Sequence, residues 1–367
     1  MVMTLAGCEA REQVVVYVSA DDAVSRPILA EFEAESGLEV VVRYDTEATK
    51  TTGLANRLRD EANRPRCDVF WSSEPFVMAQ LAREDLLTPP PEDRLGSWPE
   101  AWRDSERRWH GFAGRARVIA YSPQRVPEAR VPRTWMDLVR PWWKGRIVMA
   151  DPRFGTTRGH LGAMKRTWDR EVMPGYYEAF LEGLAENEIR LLPGGNAAVV
   201  EAIASGEADV GMTDTDDVFA AQDRGLAVAM VYPRHAPDDA PGGGTLVVPN
   251  TAALVRGGPH PEAGLKLLEF LLSPRVEAAL LASPSRNLPL VHLEELDPSA
   301  AAAAAAMSVP DPLRVDYERA SQVMDEAVAI AMKRLVEPPA QSIGRPSSDS
   351  PDAADDEPAG VESEHGS

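Results

Sequence analysis

The sequence has no apolar run near 20 residues, few cysteines and a shortage of basic side chains. Its 367 residues include 2 Cys, and 38 Lys and Arg stand against 58 Asp and Glu, a formal net charge of -20. The lack of a long apolar run excludes a membrane-spanning helix, which needs about 20 apolar residues. The deficit of positive charge argues against nucleic acid as a partner, because no basic surface is left over to meet phosphates.

The common sequence signatures of enzymes are also absent. The chain contains no G-x-S-x-G elbow, phosphate-binding P-loop or H-E-x-x-H motif, and its 6 histidines are scattered. The glycine run 242–244 follows a proline rather than a strand, which is typical of a loop. We therefore expect a non-enzymatic protein without a cofactor. A hydrolase using a paired Asp216 and Glu74 remains a remote alternative.

The two cysteines are predicted to have different roles. Cys67 precedes an apolar run and is expected to be a buried, inert thiol. Cys8 ends the sequence Leu-Ala-Gly-Cys, which resembles the lipobox of bacterial lipoproteins, although it could be a chance match because no basic n-region or full apolar h-region precedes it. We interpret residues 1–11 as a lipobox and linker, with Cys8 lipidated and the start codon assigned too late.

The opening of the chain predicts a β-α-β unit. Two short apolar runs, 14–20 and 38–44, are typical of strands buried on both faces of a parallel sheet. Between them Ser25 is positioned to cap a helix that Gly37 ends. The first strand runs into the polar residues 19–22, and open α/β sheets bind ligands at the carboxyl ends of their strands.

The same succession of strand, polar loop and helix recurs along the chain, which indicates an α/β fold. Besides the loop at 19–22, polar residues collect after predicted strands at 45–52, 72–74, 151–160 and 213–217. Strands at 116–121 and about 228–248 are expected to connect two halves of the molecule. Residues 338–367 carry seven acidic side chains and one Arg among Pro, Ser and Ala, a composition that predicts disorder.

Four segments resemble the extracellular solute-binding proteins of bacterial ABC importers, and most closely the branch for ferric iron. They are the opening strand Val-Val-Tyr-Val-Ser-Ala at 15–20, Asp-Thr-Glu-Ala-Thr-Lys-Thr-Thr-Gly-Leu at 45–54, Asp-Val-Phe-Trp-Ser-Ser-Glu-Pro at 68–75 and Gly-Glu-Ala-Asp-Val-Gly at 206–211. The resemblance runs in order through about residues 12–335. It implies a type II periplasmic-binding-protein fold, in which two α/β lobes, each a mixed sheet flanked by helices, enclose a ligand cleft.

The resemblance also implies an organisation and a setting. Lobe 1 is predicted to comprise 12–115 and 233–275, lobe 2 to comprise 116–232, and C-terminal helices to fill 276–337, before the tail at 338–367. The expected partners are an ABC permease and a small ligand, with the protein a monomer in the periplasm or another extracytoplasmic space. Its only membrane contact would be the lipid anchor.

One departure from the iron branch leaves the ligand open. That branch places two adjacent tyrosines just after the strand that matches 209–213, and both phenolates bind iron. Here that place reads Asp214-Thr215-Asp216-Asp217. The adjacent Tyr176 and Tyr177 lead into a helix with apolar residues at helical spacing, so we predict that they pack in the core.

Two ligand chemistries fit the polar loops. Helix N-termini and hydroxyl groups favour an anion, whereas carboxylates suit a hard cation; any one of these residues could instead only cap a helix. We expect a metal, ferric iron first, bound by Glu74 from one lobe and Asp214, Asp216 and Asp217 from the other. The alternative is a sugar phosphate, phosphonate or carboxylate centred on Lys50, Thr51, Thr156, Thr157 and Arg158. The full candidate set is Ser19, Asp21, Thr46, Lys50, Thr51, Thr52, Ser73, Glu74, Thr156, Thr157, Arg158, Asn196, Asp214, Asp216 and Asp217.

Overall fold

The structure, a computed structural model, describes residues 11–45, 52–96, 98–236, 243–309 and 311–336. The predicted lipidation site Cys8, the candidate ligand residues Thr46, Lys50 and Thr51, and the predicted tail 338–367 lie outside these ranges. Within the described ranges, none of the helices is both long enough and apolar enough to cross a bilayer.

The described chain contains ten strands and eleven α-helices. The strands are β1 Gln13–Val18, β2 Glu39–Tyr44, β3 Val69–Ser72, β4 Leu87–Thr88, β5 His110–Tyr121, β6 Ile147–Ala150, β7 Arg190–Leu192, β8 Val210–Asp214, β9 Ala229–Val231 and β10 Val247–Val255. The helices are α1 Asp22–Ser36, α2 Thr52–Asp60, α3 Pro75–Arg83, α4 Gly155–Thr167, α5 Tyr176–Glu186, α6 Gly195–Ser205, α7 Thr215–Asp223, α8 Pro261–Leu271, α9 Pro274–Ala282, α10 Pro298–Ala306 and α11 Tyr317–Val336. Short helical turns lie at Glu100–Trp102, Glu128–Arg130, Trp135–Val139, Pro141–Trp143, Trp168–Val172 and Leu293–Glu295.

The first helix begins earlier than the sequence predicts. It starts at Asp22 rather than after Ser25, and the Ser25 hydroxyl donates to the carbonyl of Asp21 from inside the first turn. Ser25 is buried, so its hydroxyl needs such a partner and is not exposed as a helix cap. The end of the helix is as predicted, with Gly37 in the left-handed conformation at φ 72°.

The first sheet has the strand order β2-β1-β3-β10-β5, with β4 also paired to β10. β1 pairs in parallel with β2 and β3, whereas β10 runs antiparallel to β3, β4 and β5. Helices cover both faces of this sheet. Phe32 of α1, Leu268 of α8 and Leu280 of α9 share one apolar cluster with Val16, and Met78 of α3 and Met324 of α11 share the other with Phe70.

The second sheet has the order β5-β8-β6-β7, with β9 also paired to β5. β6 pairs in parallel with β7 and β8, and β5 runs antiparallel to β8 and β9. One face packs against α4, α5 and α11, and the other against α6 and α7. Two mixed sheets with helices on both faces are the α/β architecture that the sequence predicts.

Strand β5 belongs to both sheets. Its residues 110–116 pair with β10 of the first sheet, and residues 117–121 pair with β8 and β9 of the second. The return passage runs from β9, through the bridge residue Thr245, to β10. These passages bring the carboxyl ends of β1, β3, β6 and β8 to face one another. The residue bounds predicted for the two lobes remain a prediction, because α11 packs on helices from both sides.

Candidate functional site

A cavity of about 310 Å³ lies between the two sheets. One wall contains Asp21 after β1, Ser73 after β3 and Asn250 in β10, and the opposite wall contains residues that follow β6, β7 and β8. The main polar residues of that opposite wall are Asp151, Thr156, Thr157, Asn196, Asp214, Asp216 and Asp217. The cavity thus joins the strand ends of both sheets, as expected for an α/β ligand site.

Arg115 joins the two walls of this cavity. Its Nη1 donates to the carbonyl of Ser73 at 2.5 Å on the first side. On the second side its Nη2 donates to Thr156 Oγ1 at 2.5 Å and its Nε donates to Asp214 Oδ2 at 3.2 Å. Only 7% of Arg115 is exposed. A cleft-lining guanidinium with partners on both sides therefore occupies the centre of the site.

Asp214 is a buried carboxylate held by three donors. Arg117 Nη1 donates to its Oδ1 at 2.9 Å, and Asn196 Nδ2 donates to its Oδ2 at 2.7 Å, in addition to the bond from Arg115. Burial alone would raise the pKa of Asp214, but the charges of Arg117 and Arg115 lower it below the ordinary value. Burial would likewise lower the pKa of Arg115, and the nearby Asp214 and Asp216 raise it instead. Both groups are therefore charged.

Three carboxylates converge beside Arg115. Asp214, Asp216 and Asp217 each offer an oxygen, and these oxygens lie within 4.8 Å of one another. Asp214 is the last residue of β8 and precedes α7, whose first turn carries the other two. The helix dipole favours carboxylates at this end. Within the described residues this is the group of acidic side chains with a geometry that fits a metal ion.

Glu74 is not part of that group. It caps α3: its Oε2 accepts from the backbone N–H of Phe76 at 2.6 Å, and its Oε1 accepts from that of Val77 at 3.1 Å. It is 2% exposed, and burial raises the pKa of its carboxyl above the ordinary value. Glu74 is not among the residues that line the cavity, so the structure does not bring it together with the three aspartates, and its role as a metal ligand from the first lobe remains a prediction.

The other candidates separate into residues that line the cavity and residues that do not. Asp21, Ser73, Thr156, Thr157 and Asn196 line the cavity with the three aspartates. Ser19, Thr52, Glu74 and Arg158 do not. Ser19 Oγ instead accepts from the backbone N–H of Ser73 at 3.1 Å.

Arg158 points away from the cavity, although the sequence predicts that it binds the ligand. It lies one turn into α4, and its guanidinium pairs with Asp325 of α11 at 2.5 Å. The side chain is 16% exposed. Successive helical residues point about 100° apart, so Thr156 and Thr157 can face the cleft while Arg158 packs beside the C-terminal helix.

Sequence reasoning did not select Arg115, Ser285, Asn250 or Asn287, all of which line the cavity. A signal for Arg115 was present: two arginines, 115 and 117, interrupt the otherwise apolar strand 112–121. Charged side chains inside a buried strand must be paired. The asparagines carry no comparable signal, because their site depends on a contact between distant residues, Asn250 Nδ2 donating to Asn287 Oδ1 at 2.8 Å.

The adjacent tyrosines pack in the core, as predicted. Tyr177 is fully buried, and its hydroxyl donates to the carbonyl of Ala327 in α11 at 2.9 Å. Tyr176 packs edge-on against Trp168 with ring centroids 5.4 Å apart. Neither lines the cavity. The inert role predicted for Cys67 also agrees with the structure, because the thiol is buried and burial raises its pKa.

Known proteins are similar to this chain in sequence or in fold. Iron uptake protein A1 of Synechocystis sp. is 26% identical over 282 residues, which are 74% of each chain. The iron-bound crystal structure of HitA from Pseudomonas aeruginosa is similar with a TM-score of 0.74 and 22% identity, over 88% of this chain and 99% of that one. The periplasmic binding protein AfuA from Actinobacillus pleuropneumoniae, solved with fructose-6-phosphate, gives 0.70 and 16%, over 89% and 100% of the two chains.

The structural likenesses confirm the type II periplasmic-binding-protein fold that the sequence predicts. The sequence match is broader than any single motif. Residues 14–283 match the family described as bacterial extracellular solute-binding proteins. Because that match covers most of the 367 residues, this chain belongs to the bacterial extracellular solute-binding proteins.

Proposed function

We propose that this protein captures ferric iron, or a similar hard metal ion, in the cleft and delivers it to the permease of an ABC importer. The convergence of Asp214, Asp216 and Asp217 supports this proposal most directly. Carboxylate oxygens are hard ligands that suit hard cations. The iron-binding relatives support the choice of metal, and their designation as binding proteins supports a carrier rather than an enzyme.

The charges around the cavity agree with a highly charged cation. The three carboxylates of Asp214, Asp216 and Asp217 outnumber the guanidinium groups of Arg115 and Arg117 by one, so the group keeps a net negative charge that an incoming cation would meet. Three carboxylates leave further coordination positions, which water or a small anion would fill. An anion bound to the metal next to Asp216 would also lie near Arg115, because Arg115 Nε is 3.7 Å from Asp216 Oδ2. The metal would therefore bind without phenolate ligands.

A double substitution tests the metal site. Asp216→Asn with Asp217→Asn should abolish binding of Fe(III) supplied as its nitrilotriacetate complex, while the melting temperature without ligand stays within a few degrees. Binding to the native state raises stability by about 2.7 kcal/mol at a hundredfold excess over Kd, so a thermal-shift titration of chelator-treated protein is a suitable measurement. The charge-matched control is Asp60→Asn with Asp93→Asn, two exposed residues that do not line the cavity. Iron binding by the Asp216 and Asp217 variant equal to that of the control would contradict the proposal.

A small organic anion is the second candidate, and Arg115 is the observation that favours it. The guanidinium lines the cavity together with Thr156, Thr157 and Asn196, near the first turns of α4 and α6. Helix N-termini and arginine suit phosphate or carboxylate groups. The similar AfuA structure contains a sugar phosphate.

The same double variant separates the two candidates. If the ligand is an anion, removing the charges of Asp216 and Asp217 should leave binding of fructose 6-phosphate equal or tighter, because the carboxylates only repel it. Tighter binding of the sugar phosphate, with no Fe(III) binding by the wild type, would replace the metal proposal with the anion.

Lipid anchoring through Cys8 is proposed on its sequence alone. Palmitate labelling that Cys8→Ala does not reduce would contradict it.

A further inference from the structure

Behind the cleft, a chain of four hydrogen bonds connects Asp214 to the backbone carbonyl of Gly244. Arg117 donates from Nη1 to Asp214 at 2.9 Å and from Nε to His160 Nδ1 at 3.3 Å. His160 Nε2 is 2.9 Å from His235 Nε2. His235 Nδ1 is 2.8 Å from the carbonyl oxygen of Gly244. None of the described contacts of the two histidines is with the cavity itself.

The chain is sealed from solvent. Arg117 and His160 are fully buried, and His235 is 2% exposed. The Trp135 ring packs on His160 with centroids 4.6 Å apart, and Trp168 donates from Nε1 to the carbonyl of His235 at 2.8 Å. In such a site each polar atom needs a partner within the protein. The pairing of the two rings is therefore strictly constrained.

These contacts permit one assignment of protons. The Gly244 carbonyl can only accept, so His235 carries its proton on Nδ1 and offers a lone pair on Nε2. His160 must then carry its proton on Nε2, which leaves its Nδ1 to accept from Arg117, a residue that can only donate. A charged form of either ring would set two N–H groups against each other. Burial also lowers the pKa of His235 to about 4 and that of His160 well below the ordinary range, which agrees with two neutral rings.

We propose that His160 is a positioning residue of the ligand site, which orients the Arg117 guanidinium and through it the carboxylate of Asp214, while His235 fixes the tautomer of His160. Arg117 donates to four side chains, Asp214, His160, Asn196 and Thr157. The bond to His160 comes from behind the cleft and uses Nε, so it sets the plane of the guanidinium. With that bond removed, Nη1 can rotate away from Asp214 Oδ1, and the ligand oxygens lose their fixed direction.

His235 connects this chain of hydrogen bonds to the passage between the two sheets. His235 lies on the return passage between β9 and β10, where the backbone crosses from the second sheet to the first. Its N–H donates to the carbonyl of Gly243 at 2.9 Å, and Thr245 Oγ1 donates to the carbonyl of Pro233 at 3.0 Å. The hydrogen-bond chain therefore joins the passage between the lobes to a carboxylate of the cleft.

The proton assignment is tested first, without any ligand. Long-range ¹H–¹⁵N spectra of the full chain at neutral pH should show His160 as the Nε2–H tautomer and His235 as the Nδ1–H tautomer. The signals are assigned by replacing each of these residues in turn. A doubly protonated ring, or His160 protonated on Nδ1, would overturn the proposal.

A matched pair of substitutions then tests the effect on the ligand site, on the basis of the proposed function. In His160→Asn the amide oxygen takes the place of Nδ1 and can still accept from Arg117. In His160→Gln the amide takes the place of Nε2, so the bond to His235 stays and the bond to Arg117 is lost. The affinity for Fe(III), measured by competition with nitrilotriacetate, should fall roughly tenfold or more for Gln and within about threefold for Asn.

The results of these measurements distinguish a failure of the positioning role from a failure of the proposed function. Equal losses in both variants mean that His160 only fills space, and no loss in either means that Arg117 is oriented without it; both results overturn the positioning role. If the wild type binds no Fe(III), the proposed function fails on its own account. The tautomers then decide the hydrogen-bond chain by themselves.

Discussion

At the scale of single residues, Asp214 is the carboxylate on which the buried charges of the site depend. Two arginines, one 7% exposed and one fully buried, share its oxygens. A buried ion pair contributes little net stability when formed, but loss of one partner leaves the other charge buried and uncompensated. The carboxylate is therefore structural as well as a candidate ligand.

Asp214→Asn should destabilise the fold strongly. Asparagine keeps the shape of the side chain but leaves Arg117 without its carboxylate partner and Arg115 with only the more distant Asp216, at a cost of about 3–5 kcal/mol. Urea denaturation at neutral pH measures the free energy of unfolding. Asp22→Asn is the control, because Asp22 pairs with Arg26 at the surface and its loss should change stability little. A variant as stable as this control would show that the arginines have other compensation.

Glu74 gives a pH dependence of a defined sign. Burial raises the pKa of its carboxyl in the folded state, so its contribution to stability is fully present below the unfolded pKa, about 4.3, and is lost as pH rises through the higher folded value. Glu74→Gln removes this titration. The stability of the variant relative to wild type should therefore increase as pH rises from about 4 through the folded pKa. Urea denaturation across this range measures the difference, and a constant offset would contradict the pKa shift.

Much of the residue-level site follows from the sequence, and the remainder depends on tertiary contacts. Thr156, Asp214 and Asp216 were identifiable because each follows a predicted strand and a strand end is a local feature. The sequence predicts Arg158 in the cleft because it lies beside Thr156, but the sequence does not show which way the side chain points from the helix. Its partner, Asp325, is 167 residues away.

At the scale of elements, α3 and α4 cross at close range between the two halves of the molecule. Gly159 of α4 lies against the ring of Phe76 in α3, and a Cβ added at Gly159 would lie 2.1 Å from Phe76 Cδ2. This glycine permits contact between helices at the ends of two different sheets. Periodicity predicts both helices, but it gives no information on how closely they approach.

Gly159→Ala should destabilise the protein although alanine favours helices. In an open helix this change stabilises by about 1 kcal/mol, whereas overpacking costs about 1–3 kcal/mol. Phe76→Leu in the same chain should recover part of the loss, because the smaller side chain has no ring edge at that position. Thermal unfolding of both single variants and the double variant measures the coupling. Additive effects would show that the helices do not meet at this residue.

At the scale of the whole molecule, an ion pair closes the cleft at its rim. Arg286 follows α9 beside the cleft-lining residues Ser285 and Asn287, and it pairs with Asp223 at the end of α7. Its guanidinium also lies over the Phe219 ring of α7, 5.3 Å from the centroid. Both contacts cross from the first-sheet side to the helix that begins with the three aspartates. Opening of the cleft must break them.

Arg286→Ala should therefore accelerate release of the bound ligand. A partly exposed ion pair contributes up to about 1 kcal/mol, so release should be up to roughly fivefold faster, and less so at high salt. Stopped-flow transfer of Fe(III) to excess chelator measures the rate. Arg224→Ala is the matched control, because Arg224 pairs with Glu201 inside the same half of the molecule. Equal rates for the two variants would show that the Arg286 pair does not restrain opening.

The two-sheet architecture also determines the order in which the chain can complete its parts as it is synthesised. β1, β2 and β3 of the first sheet are made by residue 72, but β10, which joins them to β5, ends only at residue 255. The strands of the second sheet all lie within 110–231. The second sheet, which begins later in the chain, therefore has all its described strands before the first sheet does. β10 is complete only 24 residues after the end of β9, and until then the early parallel strands have an exposed edge. Such an edge is a hazard for aggregation and a reason for a chaperone to bind this segment.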